Sequence, residues 1–205
     1  APAPAPVRLT ERKRQAILEA AIAEFRSQGF DATSMDRIAA TAGVSKRTVY
    51  NHFPSKDALF AAILRRLWQR SADMLSVPYR PERPLREQLV QLLQQKLRLL
   101  DDPAFIDLSR VAIAQGVHSP ERARELIAQL GSKEEGTTVW IRAALDDGRL
   151  QPLDPQFAAQ QLEGLVKGFA FWPQIAMGQP ALSPEQQAQV AESAAEMFLK
   201  HYARG

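Results

Sequence analysis

A chain of 205 residues with 45% hydrophobic side chains is long enough for a small head and a larger body, each with its own core. Cysteine is absent, which excludes a disulfide framework, thiolate chemistry and a cysteine-ligated zinc site. The net charge of +3 is unevenly placed: residues 1–56 hold nine Lys or Arg against five Asp or Glu, and the remainder holds seventeen against eighteen. A basic head on a near-neutral body suits a nucleic-acid duplex better than a membrane surface.

The opening Ala-Pro repeat, Ala1 to Pro6, reads as an extended tail rather than a targeting element, and residues 1–9 as a flexible tail outside the fold. No run of about 18 apolar residues and no signal-peptide core is present, so a soluble, cytoplasmic protein is expected. A first helix from about Thr10 to Gln28 carries Ile17, Leu18, Ala21, Ile22 and Phe25 at helical spacing, and Gly29 stops it. Thr33 and Ser34 then open a second helix, with Asp36 completing a capping box from Thr33. Its core face is Met35, Ile38 and Ala39.

The stretch from Ala42 to Leu59, AGVSKRTVYNHFPSKDAL, is the most informative in the chain. Gly43 sits where two helices change direction, a place that favours glycine's backbone freedom. Ser45 caps a third helix running to Tyr50, whose buried side is Val44, Val49 and Phe53. Pro54 ends it and Ser55 caps the next helix. Lys46, Arg47, Thr48, Tyr50, Asn51, His52 and Lys56 follow one another as potential donors to an anion. This is the pattern of a helix-turn-helix lying on nucleic acid. Arg47, near the start of the reading helix, has the fork that matches guanine O6 and N7. Tyr50, His52 and Lys56 are placed to reach phosphates, with Thr33 and Ser34 beside them. Arg8, Arg12, Lys13 and Arg14 are either further phosphate contacts or a solvated helix face.

The segment from about Ala16 to Leu64 also resembles the DNA-binding domain of the tetracycline-repressor (TetR) family. The likeness rests on ILEAAIAEFRSQGFDATSMDRIAATAGVSKRTVYNHFPSKDALF, Ile17 to Phe60, and most of all on the His-Phe-Pro-Ser-Lys run after the reading helix. It departs from the family pattern at Asn51, where an aromatic is usual, and at Arg47, where relatives often carry glycine. The region from about Asp101 to Gly178, with LSRVAIAQGVHSPERARELI and DDGRLQPLDPQFAAQQLEGLVKGF, resembles the ligand-binding domains of AefR-like TetR regulators.

Beyond Ser55 the chain reads as helices punctuated by Pro and Gly. They cover about 55–76, 84–100, 103–115, 120–148 with a possible break near Gly131, 155–177 and 184–203, with Pro155 and Pro184 in first turns. No segment alternates as a strand. The expected fold is all-α with roughly nine helices: a three-helix DNA-binding head over 10–54 and a helical ligand-binding and dimerisation domain over 55–205.

In the 155–177 helix, Gly164, Gly168, Phe171 and Ile175 form one stripe; Leu162, Leu165, Phe169 and Trp172 form the opposite one. A helix apolar on both sides must be covered on both sides. The last helix adds Val190, Ala194, Met197, Phe198 and Tyr202. Ordinary core accounts for some of these residues, and the TetR resemblance implies that the others form a four-helix interface between two subunits. It also implies an effector pocket among the central helices, for which Leu92, Leu93, Lys96, Phe105, Arg110, Ile113, Trp140, Phe169 and Trp172 are candidates. Arg110 and His118 are the polar ones, although His118 also reads as a loop histidine.

His52, His118 and His201 lie in unrelated contexts without metal spacing, and no serine elbow, phosphate-cradling loop or dinucleotide fingerprint is present. No cofactor or catalytic residue is expected. The expectation is a homodimeric transcriptional regulator that binds a palindromic operator and releases it on binding a small effector. The alternative is an all-α interaction adaptor with a vestigial helix-turn-helix, which would lack salt-sensitive affinity for DNA.

Overall fold

A computed structural model describes residues 9–74, 77–130 and 136–204. Among them the chain is all-α: α1 (Leu9–Gln28), α2 (Met35–Ala42), α3 (Lys46–His52), α4 (Lys56–Met74), α5 (Leu85–Leu100), α6 (Pro103–His118), α7 (Pro120–Leu130), α8 (Gly136–Asp146), α9 (Pro155–Ala170), α10 (Trp172–Met177) and α11 (Pro184–Tyr202). The Ala-Pro repeat, Arg8 and Gly131 lie outside the described residues.

Two of the expected helices are each divided. Residues 120–148 give α7 and α8. Residues 155–177 give α9 and α10, and Pro173 explains the division, since it has no N–H for the ladder and its ring crowds the preceding turn. Phe171 stands at the joint, capping α9 with its N–H on Lys167 O and accepting from Ile175 N at 3.0 Å.

The described residues form two compact units, one within 9–67 and 107–130, the other within 68–106 and 136–204. The first is built on one apolar cluster in which α1, α2 and α3 share Ile17, Ala21, Phe25, Ile38 and Val49. Leu59, Phe60 and Ile63 of α4 and Leu108 and Val111 of α6 complete it. The helix-turn-helix therefore packs on residues well beyond position 54. Phe30 joins Phe25 and Phe60 in an aromatic chain, with centroids 5.1 and 5.6 Å apart.

In the second unit, α11 packs along α5 and α9, and α8 packs on α9. Leu89, Leu92, Leu93, Trp140, Ile141, Leu162, Val166, Ala195 and Phe198 are buried between them. Asp154 caps α9 ahead of Pro155, and Ser183 with Gln186 forms a capping box ahead of Pro184. A single β-bridge, Leu150 to Ala203, ties the end of α11 to the segment after α8.

Candidate nucleic-acid interface

The turn between α2 and α3 is built from local chemistry. Gly43 adopts φ 65° and ψ 31°, and its N–H closes α2 on Ala39 and Ala40 carbonyls. Ser45 then caps α3: its Oγ accepts from Thr48 N at 3.1 Å and shares a 2.8 Å hydrogen bond with Thr48 Oγ1. Val49 is wholly buried and Phe53 nearly so, with Val44 packed against the same core. Inward residues thus hold α3 in place while Lys46, Arg47, Tyr50 and Asn51 remain exposed, and Thr48 and His52 half-exposed. This is the arrangement of a rigid helix presenting donors.

Lys46 Nζ lies 2.8 Å from Asp36 Oδ1, and this hydrogen-bonded carboxylate raises the pKa of the ammonium. Both groups are well exposed, so the pair adds little stability and Lys46 stays free to exchange partners. Arg47 stands exposed near the start of α3. Arg14 lies over the Phe53 ring at 5.1 Å, a cation–π contact from α1 onto the core residue that ends α3. Arg12 and Lys13 are exposed.

Three expected donors are in different circumstances. Lys56 does not project outward: its ammonium donates to Phe30 O (2.6 Å), Thr33 O (2.9 Å) and Asp31 O (3.1 Å), and lies 4.6 Å from the Phe30 ring centre. All three N–H groups are engaged inside the head, where they clamp the α1–α2 corner. Thr33 is buried, and its hydroxyl donates to Gly29 O at 2.8 Å. It cannot cap α2 or touch DNA. Ser34 alone caps α2, accepting from Arg37 N at 3.2 Å, so the capping box from Thr33 to Asp36 does not form.

Glu24 is the residue that sequence reasoning missed. It sits on the apolar stripe of α1, nearly buried, accepting from Thr41 Oγ1 at 2.6 Å and Arg37 Nε at 2.5 Å. These contacts, the Thr41 hydroxyl first, outweigh burial and hold its pKa below the usual carboxylate value. One carboxylate thereby ties the middle of α2 to α1. A glutamate in register with Ile17, Ala21 and Phe25 was the signal that could have revealed it.

The residues expected to line an effector pocket fall in both compact units. Leu92, Leu93, Trp140 and Phe105 are buried in the second unit, and Lys96 there is buried against Glu163, which also accepts from Lys167 at 2.8 Å. Arg110 and Ile113 belong to the first unit, where Arg110 lies 3.3 Å from Asp107. Phe169 and Trp172 are 61% and 49% exposed, so they line no enclosed cavity of the chain. Sequence reasoning also placed Phe171, Ala194 and Phe198 at an interface, but they are buried within the chain. Gly164, Gly168 and Met197 are exposed, and Ile175, Val190 and Tyr202 half-buried. At the end of α9 the Phe171 ring turns inward, whereas Phe169 and Trp172 stand outside with the two glycines.

The comparisons with known proteins agree with this head and body. Residues 17–63 match the family of bacterial regulatory proteins of the tetR type, and residues 87–204 match the C-terminal domain of AefR-like transcriptional repressors. The chain is 31% identical over 176 residues to the HTH-type transcriptional regulator RutR of Escherichia coli O157:H7, covering 82% of this chain and 79% of RutR. A solved TetR family regulator from Pseudomonas syringae pv. tomato shares 52% identity at a TM-score of 0.85, across 96% of this chain and 100% of that one. The flavonoid-responsive regulator FrrA shares 32% identity at a TM-score of 0.74, across 94% and 98% of the two chains. With its helix-turn-helix and its helical body each matched in turn, the chain belongs to the TetR family of transcriptional regulators.

Proposed function

We propose that this regulator is a homodimeric repressor that binds a palindromic operator and is released by a small effector. The observation that carries the reading is α3, whose packed side is Val49 and whose exposed side is Lys46, Arg47, Tyr50 and Asn51. Entering the major groove, Arg47 reads guanine while Ser34, Ser45, Thr48, Tyr50 and His52 approach phosphates. A reading helix of seven residues spans too few bases alone, so two copies about one helical turn, ~34 Å, apart supply the second half-site.

The dimer face we assign is the outward side of α9 to α11, where Phe169, Trp172, Met177 and Met197 are all at least 49% exposed. A Cβ built on Gly164 or Gly168 would meet nothing within 4 Å in the chain, leaving room for a partner helix to approach closely. Sequestering several large apolar side chains in this way is what a stable two-fold interface requires.

An effector site in the second unit is supported by Gln95 Oε1, Thr137 Oγ1 and Trp140 Nε1, buried polar atoms with no hydrogen-bond partner among the described residues. Such atoms are costly unless water or a ligand meets them. The flavonoid response of the relative FrrA fits a largely aromatic effector with a few polar groups. A regulator that works on DNA in this way acts in the cytoplasm.

The test is binding to the intergenic DNA upstream of its own gene, compared with random duplex across a salt series. Arg47→Ala should weaken operator binding by about 1–3 kcal/mol and leave random DNA little changed. Equal, salt-insensitive affinity of the native protein for both duplexes would remove the repressor reading and favour an adaptor with a vestigial head.

A further inference from the structure

The unit that carries the helix-turn-helix contains a cavity of about 340 Å³ between the end of α1, the α1–α2 corner and α6. That volume lies at the lower end of the range for small-molecule sites. Phe25, Phe30 and Val111 give it an apolar lining, and Gln115 of α6 joins them. Gln115 is only 4% exposed, yet its Nε2 has no hydrogen-bond partner among the described residues. A buried amide donor left unpaired is unfavourable unless something else supplies the acceptor. At the same cavity, His118 Nε2 and Asp31 Oδ2 stand 3.0 Å apart, and these are its only lining groups that can carry charge. Both side chains are well exposed, and the buried part of the lining, Phe25, Phe30, Val111 and Gln115, carries no charge.

We propose that this cavity is a second effector site, separate from the helical body, for a small neutral aromatic molecule with one hydrogen-bond acceptor. The ring lies against Phe25, Phe30 and Val111, and the acceptor takes the Gln115 N–H after rotation of the amide. One wall is the corner Gly29–Ala32, whose neighbouring carbonyls Lys56 already holds. An occupant therefore braces the corner from which α2 and α3 depart. That effect on DNA rests on the repressor reading, whereas occupancy itself does not.

The experiment is a titration of the full ¹⁵N-labelled chain, without DNA, with acetanilide as probe and ethylbenzene as a similar molecule lacking an acceptor. Saturable shifts are expected at Gly29, Ala32, Ala114 and the Gln115 side-chain amide, with acetanilide binding about tenfold more tightly than ethylbenzene, the ratio expected of one added hydrogen bond. Gln115→Leu should bring the two probes to equal affinity, and Ala114→Phe should block both. Equal affinities in the native chain, shifts confined to residues 136–204, or no saturation would overturn the proposal. Because the native chain alone yields the ratio, the proposal stays falsifiable even where a variant fails to fold. Failure of the native, probe-free chain to bind operator would count against the repressor reading and not against this site.

Discussion

The head and the body of this regulator each have an apolar core but differ in what is added to it. The head has helices of eight and seven residues, too short to be stable alone. Besides the shared apolar cluster, they are fixed by caps, by the left-handed Gly43, and by the polar ties of Glu24 and Lys56. The body has helices of up to nineteen residues joined through apolar faces, and it keeps one apolar face outside. A polar surface on a rigid head can remain in water until DNA arrives, whereas an exposed apolar face on a body calls for a partner. The contrast teaches that each unit leaves a different chemistry outside: donors in the head, rings in the body.

Two tryptophans test that contrast most sharply. Trp140 is 1% exposed in the body core and Trp172 is 49% exposed. Trp140→Ala should lower the unfolding free energy by about 3–5 kcal/mol. Trp172→Ala should leave the fold of a single chain nearly unchanged but weaken the dimer, seen as a concentration-dependent shift in sedimentation. Similar melting losses in the two variants, with the dimer intact, would place the interface elsewhere.

A smaller effect is expected in the head. Lys56→Ala removes the donor to three loop carbonyls and should cost about 1.5–3 kcal/mol in denaturant unfolding. The slope of log affinity against log salt should stay as it was, since no phosphate contact is lost. A slope reduced by about one per subunit would return Lys56 to the DNA.

The mildest effect concerns acid. The folded pKa of Glu24 is depressed, so its contribution is complete above the unfolded value, about 4.3, and fades as pH falls through the folded one. Glu24→Gln should flatten the decline of head stability below about pH 4.3, as followed by circular dichroism at stepped pH. An unchanged decline would mean that other carboxylates govern acid unfolding.

What could be read beforehand was what acts over a few residues. Gly43, Ser45, Pro155 and Pro184 reveal themselves because a cap or a fixed φ depends on near neighbours. The carbonyl partners of Lys56 were not legible because they lie 23 to 26 residues upstream, beyond any local rule. Phe171 and Trp172 fall on other sides than expected because one proline ended the periodicity that placed them. The cavity beside Gln115 follows from an unfilled volume, which periodicity does not encode.

The division of labour along α3 bears on how such a regulator changes over generations. Val49 is the side chain that α3 itself buries, and Phe53 anchors its end. The exposed positions of the reading face, 46, 47, 50 and 51, make no contribution to that core. Exposed substitutions of this kind usually alter stability by no more than about 0.5 kcal/mol. Where these positions read an operator as proposed, new preferences can arise there while the fold stays intact, and each trial sequence remains a folded protein on which selection can act.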